Sequence, residues 1–207
     1  MSRTEKMLLL IFPTLYLLIG FYFRQVFGDL SLRSFDPDYI HFISGLSVSA
    51  GRFSDANIDQ PASVLHLLLA FIFRVVYFFR SHQLPYFEDV IKNSDLYLAT
   101  ANLVITTIVA VSLFWAGKSI TRISKNVLYG IIIQTAPFTL AIWYDIMARI
   151  YVEVLFVIPI LILEVMLFKE LYEKQKFPYK TLWYGIAIGL GLSMKSIPSA
   201  NYIQPNW

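Results

Sequence analysis

The 207 residues are 57% hydrophobic with a mean hydropathy of +0.60, which leaves too little polar surface to cover a water-soluble globule. A formal charge of +3, carried by basic residues in separated loops, argues for membrane orientation and against nucleic-acid binding. The chain has no cysteine, which excludes a disulfide framework and thiolate metal sites.

Arg3 and Lys6 precede an apolar run over 7–23. The bulky Tyr22, Phe23, Arg24 and Gln25 after it offer no small-residue cleavage site, so an uncleaved signal anchor is expected. An acidic loop follows, Phe35-Asp36-Pro37-Asp38-Tyr39, then Gly51-Arg52 and Asp59-Gln60-Pro61. Further apolar stretches cover 62–79, 96–116, 127–144, 150–168 and 181–198, each near the roughly 20 residues a helix needs to cross a bilayer. The stretch 62–79 stands apart. It holds Arg74 and His66 and is followed by Arg80, the pattern of a helix lying in the interface with its guanidinium heads among lipid headgroups.

Loop charges bear on that assignment, because short cytoplasmic loops collect Lys and Arg. If all six stretches cross with the N-terminus inside, Lys118, Arg122, Lys125 and the group Lys169, Lys174, Lys176, Lys180 all fall outside. If 62–79 does not cross, both basic loops join Arg3 and Lys6 in the cytoplasm, and 24–95 becomes one external region. Six crossings with the N-terminus outside also put those loops inside, but strand Arg3 and Lys6. The expected fold is therefore an all-α integral membrane bundle of about five transmembrane helices (7–23, 96–116, 127–144, 150–168, 181–198). Its long external first loop carries juxtamembrane helices. Without repeats or Gly/Ser/Pro-rich linkers, 1–207 reads as a single membrane domain. Pro13, Pro137 and Pro159 are expected to be tolerated as kinks.

An acid near a bilayer is expensive, which makes such residues functional candidates. Asp36 and Asp38 flank a proline with fixed φ, so their side chains diverge; one reading gives the pair a catalytic role, another makes Asp36 the cap of a helix starting near Asp38. Gly45 and Gly51 are expected to serve packing and turning. Asp145, Arg149 and Glu153 recur every four residues, which predicts one helix face. Glu153 lies inside an apolar run, where a working carboxylate faces the bundle interior. Glu164, close to Lys169, is expected to snorkel toward the cytoplasm. Arg52 and Arg74 are candidates for gripping a phosphate, since the planar fork matches its oxygens, and Lys195 is a third cation near the same face. Lipid headgroups would select the same residues. The sequence has no Gly-rich phosphate loop, no nucleophile elbow and no histidine pair at metal-ligand spacing.

The D-x-D-Y loop after one anchor helix, followed by a helix with Gly45 and by Gln60-Pro61-Ala62-Ser63 leading into an interfacial helix, resembles the first external loop of GT-C membrane glycosyltransferases. These enzymes use polyprenyl-phosphate sugars; protein-mannosyltransferase-like and aminoarabinose-transferase-like members are nearest in pattern. The segment from Pro137 through Arg149 and Tyr151 to Glu153 resembles the family's second acidic segment, and Gly189 to Lys195 the helix after it. Gln60 stands where the family has a histidine. The resemblance implies an inner-membrane enzyme with a cytoplasmic N-terminus and an extracytoplasmic active loop, acting on a polyprenyl-phosphate sugar donor and a lipid, glycan or protein hydroxyl acceptor. Asp36 or Asp38 would be the general base, with Glu153 and Asp145 as further acids and Arg52, Arg74 and Lys195 on the donor phosphate; a divalent cation is left open. The chain ends near the fifth crossing, so an incomplete GT-C core is expected. The rival expectation is a non-catalytic multi-pass membrane protein, a transporter fragment or assembly subunit.

Overall fold

The computed structural model describes residues 1–27, 37–52, 63–80, 84–139, 149–173 and 185. Among these every regular element is helical: α1 (Arg3–Phe27), α2 (Pro37–Ser49), α3 (Ser63–Phe78), α4 (Tyr86–Lys92), α5 (Ser94–Ser124), α6 (Val127–Thr135) with a 3-10 turn (Ala136–Phe138), and α7 (Val152–Glu173). The expected crossing 181–198 lies outside the described residues except at 185.

Local chemistry accounts for the helix ends. Ser2 and Glu5 form a reciprocal capping box at the start of α1: the Glu5 N–H donates to Ser2 Oγ (3.1 Å), and the Ser2 N–H donates to Glu5 Oε2 (2.6 Å). In α5 the hydroxyls of Thr100, Thr106, Thr107, Ser112 and Ser124 each donate to the carbonyl four residues back, so these five hydroxyls are satisfied within the helix. This helix stops at Lys125, whose φ of 56° is left-handed. Asn126 then caps α6 by accepting from the Leu128 N–H at 2.9 Å.

Among the described residues two helices, α1 and α5, are long and apolar enough to cross a membrane. The C-terminal half of α7 carries Glu164, Lys169, Glu170 and Glu173 among its apolar residues, and Glu153 stands in its first turn. At 16 residues, α3 spans roughly 24 Å, short of the ~30 Å hydrocarbon layer.

Two expectations change. The stretch 127–144 is not one continuous helix: α6 tightens into the 3-10 turn at Pro137, which has no N–H to continue the ladder, while the Ala136 N–H donates to Ile133 O. Nor do Arg149 and Glu153 share a helix face. In a continuous helix the Arg149 carbonyl would accept from the Glu153 amide, but Asn102 Nδ2 of α5 donates to it at 3.2 Å, and α7 begins only at Val152. Ile150, fully buried in the core, anchors the non-helical segment between them.

Helices α1, α5 and α6 meet at Gln134, which has no exposed surface. Its Nε2 donates to Leu9 O of α1 (2.9 Å) and Leu113 O of α5 (3.1 Å). Leu9 O is the carbonyl that residue 13 would bond in an unbroken helix, and residue 13 is proline. Gln134 therefore repairs the gap that Pro13 opens. Close approach makes this geometry possible. A Cβ on Gly117 would lie 2.5 Å from Gln134 Nε2, and one on Gly130 would run into Thr121 Oγ1 and the Gly117 carbonyl.

Gln134→Leu should lower stability by about 1–3 kcal/mol, the cost of an orphaned buried acceptor, read as thermal unfolding of the detergent-solubilised chain. In a Pro13→Ala background, where an N–H returns to Leu9 O, the same change should cost markedly less; equal costs in both backgrounds would break the link. Gly130→Ala should destabilise by its clash alone.

Candidate functional site

Helices α2 and α3 form a hairpin whose inner faces bury Phe42, Leu46, Leu65, Leu69 and Phe73. Gly45 lets the two backbones close up, since a Cβ there would lie 2.7 Å from Leu69 Cβ. The hairpin is seated on α5 through Phe73, whose ring meets Phe42 at 5.4 Å and, edge-on, Tyr97 of α5 at 5.7 Å. A buried carboxylate ties the same corner. Asp89 of α4 pairs with Arg80 Nε at 2.9 Å and accepts from Asn93 Nδ2 and the Tyr97 hydroxyl. Arg80, which by composition suits a phosphate or lipid headgroups alike, has a protein partner. Arg80, Asn93 and Tyr97 together let Asp89 stay buried, because a carboxyl group away from water needs several polar partners.

The C-terminus of α2 shapes the site. Gly51, at φ 78°, lets the Gly51 N–H donate to Val48 O (2.9 Å) and the Arg52 N–H to Ser47 O (3.0 Å), the paired bonds of a Schellman motif. That turn folds Arg52 back beside α3. Arg74 of α3 reaches across: its Nη2 donates to Ser49 O at 2.6 Å, and its guanidinium lies 4.0 Å over the Tyr86 ring. The Tyr86 hydroxyl donates to Ser49 Oγ at 2.8 Å, which in turn donates to Leu46 O at 2.6 Å. Burial raises the Tyr86 hydroxyl pKa, opposed by the bond to Ser49 and the charge of Arg74, so it remains a donor at neutral pH.

Arg52 and Arg74 thereby line one open cleft of about 490 Å³ with Ile43, Leu46, Ser47, Ala50 and Phe87. Two guanidinium groups over an apolar floor suit an anionic head with a greasy body. Compared with known proteins, the sequence matches no family model, no curated protein and no solved structure at a significant level. The site is therefore read from its own geometry.

Of the residues expected to act, the structure brings Arg52 and Arg74 together. Asp38 lies in the first turn of α2, roughly 14 Å along the helix from Ser47 at the cleft. Glu153 stands half-buried in the first turn of α7, which packs chiefly on α5, and it is not part of the cleft lining. Asp36, Asp145 and Lys195 lie outside the described residues. Among the described residues no group of three or more His, Asp or Glu is placed to hold a metal ion. Glu164 differs from expectation. One of its oxygens is buried with no hydrogen-bond partner among the described residues, beside a cavity of about 160 Å³ lined by Pro137, Val157 and Leu161.

A buried histidine pair escaped sequence reasoning, because a separation of 25 positions hides the contact. His41 Nδ1 and His66 Nε2 are 3.1 Å apart across the hairpin, one donating and one accepting according to tautomer. Burial, reinforced by the charge of His66, pulls the His41 pKa from 6.5 to about 4, and burial lowers that of His66. The unfolded chain therefore takes up protons that the folded pair refuses, and hairpin stability is lost as pH falls from about 6.5 toward 4.

Hydrogen exchange of α2 and α3 amides should accelerate over that interval, and His41→Leu with His66→Leu should flatten the dependence. Gly51→Ala should cost about 1–2 kcal/mol of stability, the penalty for a left-handed non-glycine residue.

Proposed function

We propose that the chain is the membrane core of a GT-C-type glycosyltransferase that moves a sugar from a polyprenyl phosphate to an extracytoplasmic hydroxyl. The observation that carries this reading is the arginine cleft, built at the end of a helix whose first turn holds Asp38. The wider architecture proposed with it is five crossings in the inner membrane, cytoplasmic N-terminus, and the α2–α4 segment on the outer face. The distribution of Lys and Arg between loops supports that orientation, and so does the shortness of α3.

In this reading the donor phosphate sits over the apolar floor formed by Ile43, Leu46 and Phe87. Arg74, held by Ser49 O and the Tyr86 ring, fixes one rim of the cleft, and Arg52, exposed at the end of its turn, forms the other. With most of α2 between acid and cleft, the sugar and the acceptor hydroxyl must lie between the cleft and Asp38. Asp36 or Asp38 takes the proton of the acceptor hydroxyl. A carboxylate is far too weak a base to ionise a sugar hydroxyl in advance, so the proton moves late, as the glycosidic bond breaks. The leaving phosphate gathers charge against the guanidinium donors, which is preorganised electrostatic stabilisation. Attack from the face opposite the leaving group inverts the anomeric centre. Glu153 and, beyond the described residues, Asp145 and Lys195 remain supporting candidates.

The test is consumption of a polyprenyl-phosphate sugar by membranes containing the chain. Asp38→Asn or Asp36→Asn should reduce transfer by about 10²–10⁴, the usual worth of a general base, with membrane insertion unchanged. Arg52→Gln should cost roughly tenfold or more, the scale of one lost charge-assisted bond. Wild-type turnover in both aspartate variants would take the loop out of the mechanism, and no consumption by the wild-type chain would favour the non-catalytic reading.

A further inference from the structure

The contact between α2 and α3 is closed at three successive stations. His41 meets His66, with Nδ1 and Nε2 3.1 Å apart; about a turn further along, Gly45 brings the backbones together against Leu69; a turn beyond that, Arg74 Nη2 donates to Ser49 O. The arginine cleft begins at the third station, with Arg74 on α3 and Arg52 just past the end of α2, so one guanidinium stands on each side of the contact. The first station is buried, with His41 at 0% and His66 at 1% exposure. Two neutral imidazoles satisfy each other there through a single shared N–H. A proton added to the pair finds no acceptor, because His41 Nε2 is buried without a hydrogen-bond partner. A second proton sets N–H against N–H and like charge against like.

Among the described residues, neighbouring elements supply no counter-charge. Asp38 and Tyr39 stand in the first turn of α2, and Arg74 and Tyr77 follow His66 by two and three turns of α3. On α4, Asp89 is bound to Arg80 while Glu88 and Lys92 are exposed; α5 brings Asp95 and Tyr97. None of these groups offsets the burial of either imidazole, and burial, reinforced by His66, holds His41 at about 4.

We infer that the histidine pair is a proton-operated latch on the arginine cleft: neutral, it holds α2 against α3 and keeps the two guanidiniums in register; protonated, it parts the helices, and the cleft loses its hold on an anion. The latch rests on the cleft being an anion site, as in the reading above, and not on sugar transfer. Coupling runs through the shared contact, since an anion bridging Arg52 and Arg74 ties together the same two helices that protonation pushes apart. Linkage is reciprocal: protons weaken anion binding, and a bound anion makes the pair harder to protonate. The site is engaged at neutral pH and empties in acid.

The test uses the full chain in mild detergent and dibutyl phosphate, a soluble diester whose single charge does not change between about pH 7.5 and about pH 5, on either side of the free imidazole value. Binding, followed by ligand-observed NMR titration, should weaken roughly fivefold or more across that interval, the lower end of ordinary coupling between two sites. Arg52→Gln should weaken it at both pH values, which places the anion in the cleft. His41→Leu with His66→Leu should bind as the wild type does at the higher pH and keep that affinity at the lower. If circular dichroism shows that this variant fails to fold, reciprocity decides in the wild-type chain: saturating dibutyl phosphate should move the acceleration of α2 and α3 amide exchange to lower pH. Equal affinity at the two pH values, an undiminished pH dependence in the folded double variant, or an exchange onset unmoved by the anion would overturn the latch and leave the cleft an anion site. No binding at either pH, or binding indifferent to Arg52→Gln, would overturn the latch and the cleft reading together. None of these readouts depends on transferase activity.

Discussion

The helical assembly depends on one side-chain amide. Pro13 leaves the Leu9 carbonyl of α1 without its helical donor, and in an apolar surrounding that vacancy is costly. Gln134 fills it from α6 and, with the same nitrogen, bonds Leu113 O of α5. Three helices are thus fixed at one depth and in one register. Apolar packing alone would not do this, because leucines slide past one another at little cost. The close crossing at Gly117 and Gly130 follows from it: the amide reaches both carbonyls only if α5 and α6 nearly touch.

From this frame the hairpin is hung by a different kind of contact. Tyr97, near the start of α5, offers its ring to Phe73 and its hydroxyl to Asp89, so one residue joins apolar and ionic halves of the same joint. Asp89 then holds Arg80 at the end of α3 and Asn93 at the start of α5. The arginine cleft inherits its geometry from these attachments, since Arg74 and Tyr86 stand on the two elements that the joint connects.

How much of this was legible in the sequence depends on range. The all-helical character of the described residues and the shortness of α3 follow from local patterns of apolar residues, Pro-Asp starts and a Gly-Arg stop, which act within a few residues; Arg52 and Arg74 stand out singly as phosphate candidates, but their shared cleft is a contact between two helices. What was missed is long-range or sub-residue. The histidine pair joins positions 41 and 66, and Gln134 reaches back 125 residues to Leu9; no periodicity announces either. The Arg149–Glu153 step of the expected ladder failed differently: spacing of four predicts a shared face only if the helix is continuous, and Asn102 from another helix bonds the carbonyl that continuity needs.

The hold on Arg74 has a thermodynamic consequence. A free arginine loses rotamer freedom when it closes on an anion, a cost of about 0.5–1.5 kcal/mol for an immobilised long side chain. Here the Ser49 carbonyl and the Tyr86 ring select the rotamer while the chain folds, so that entropy is surrendered before any ligand arrives. A phosphate entering the cleft meets one guanidinium already in place, and association there should show a less unfavourable ordering entropy than at an unrestrained surface arginine.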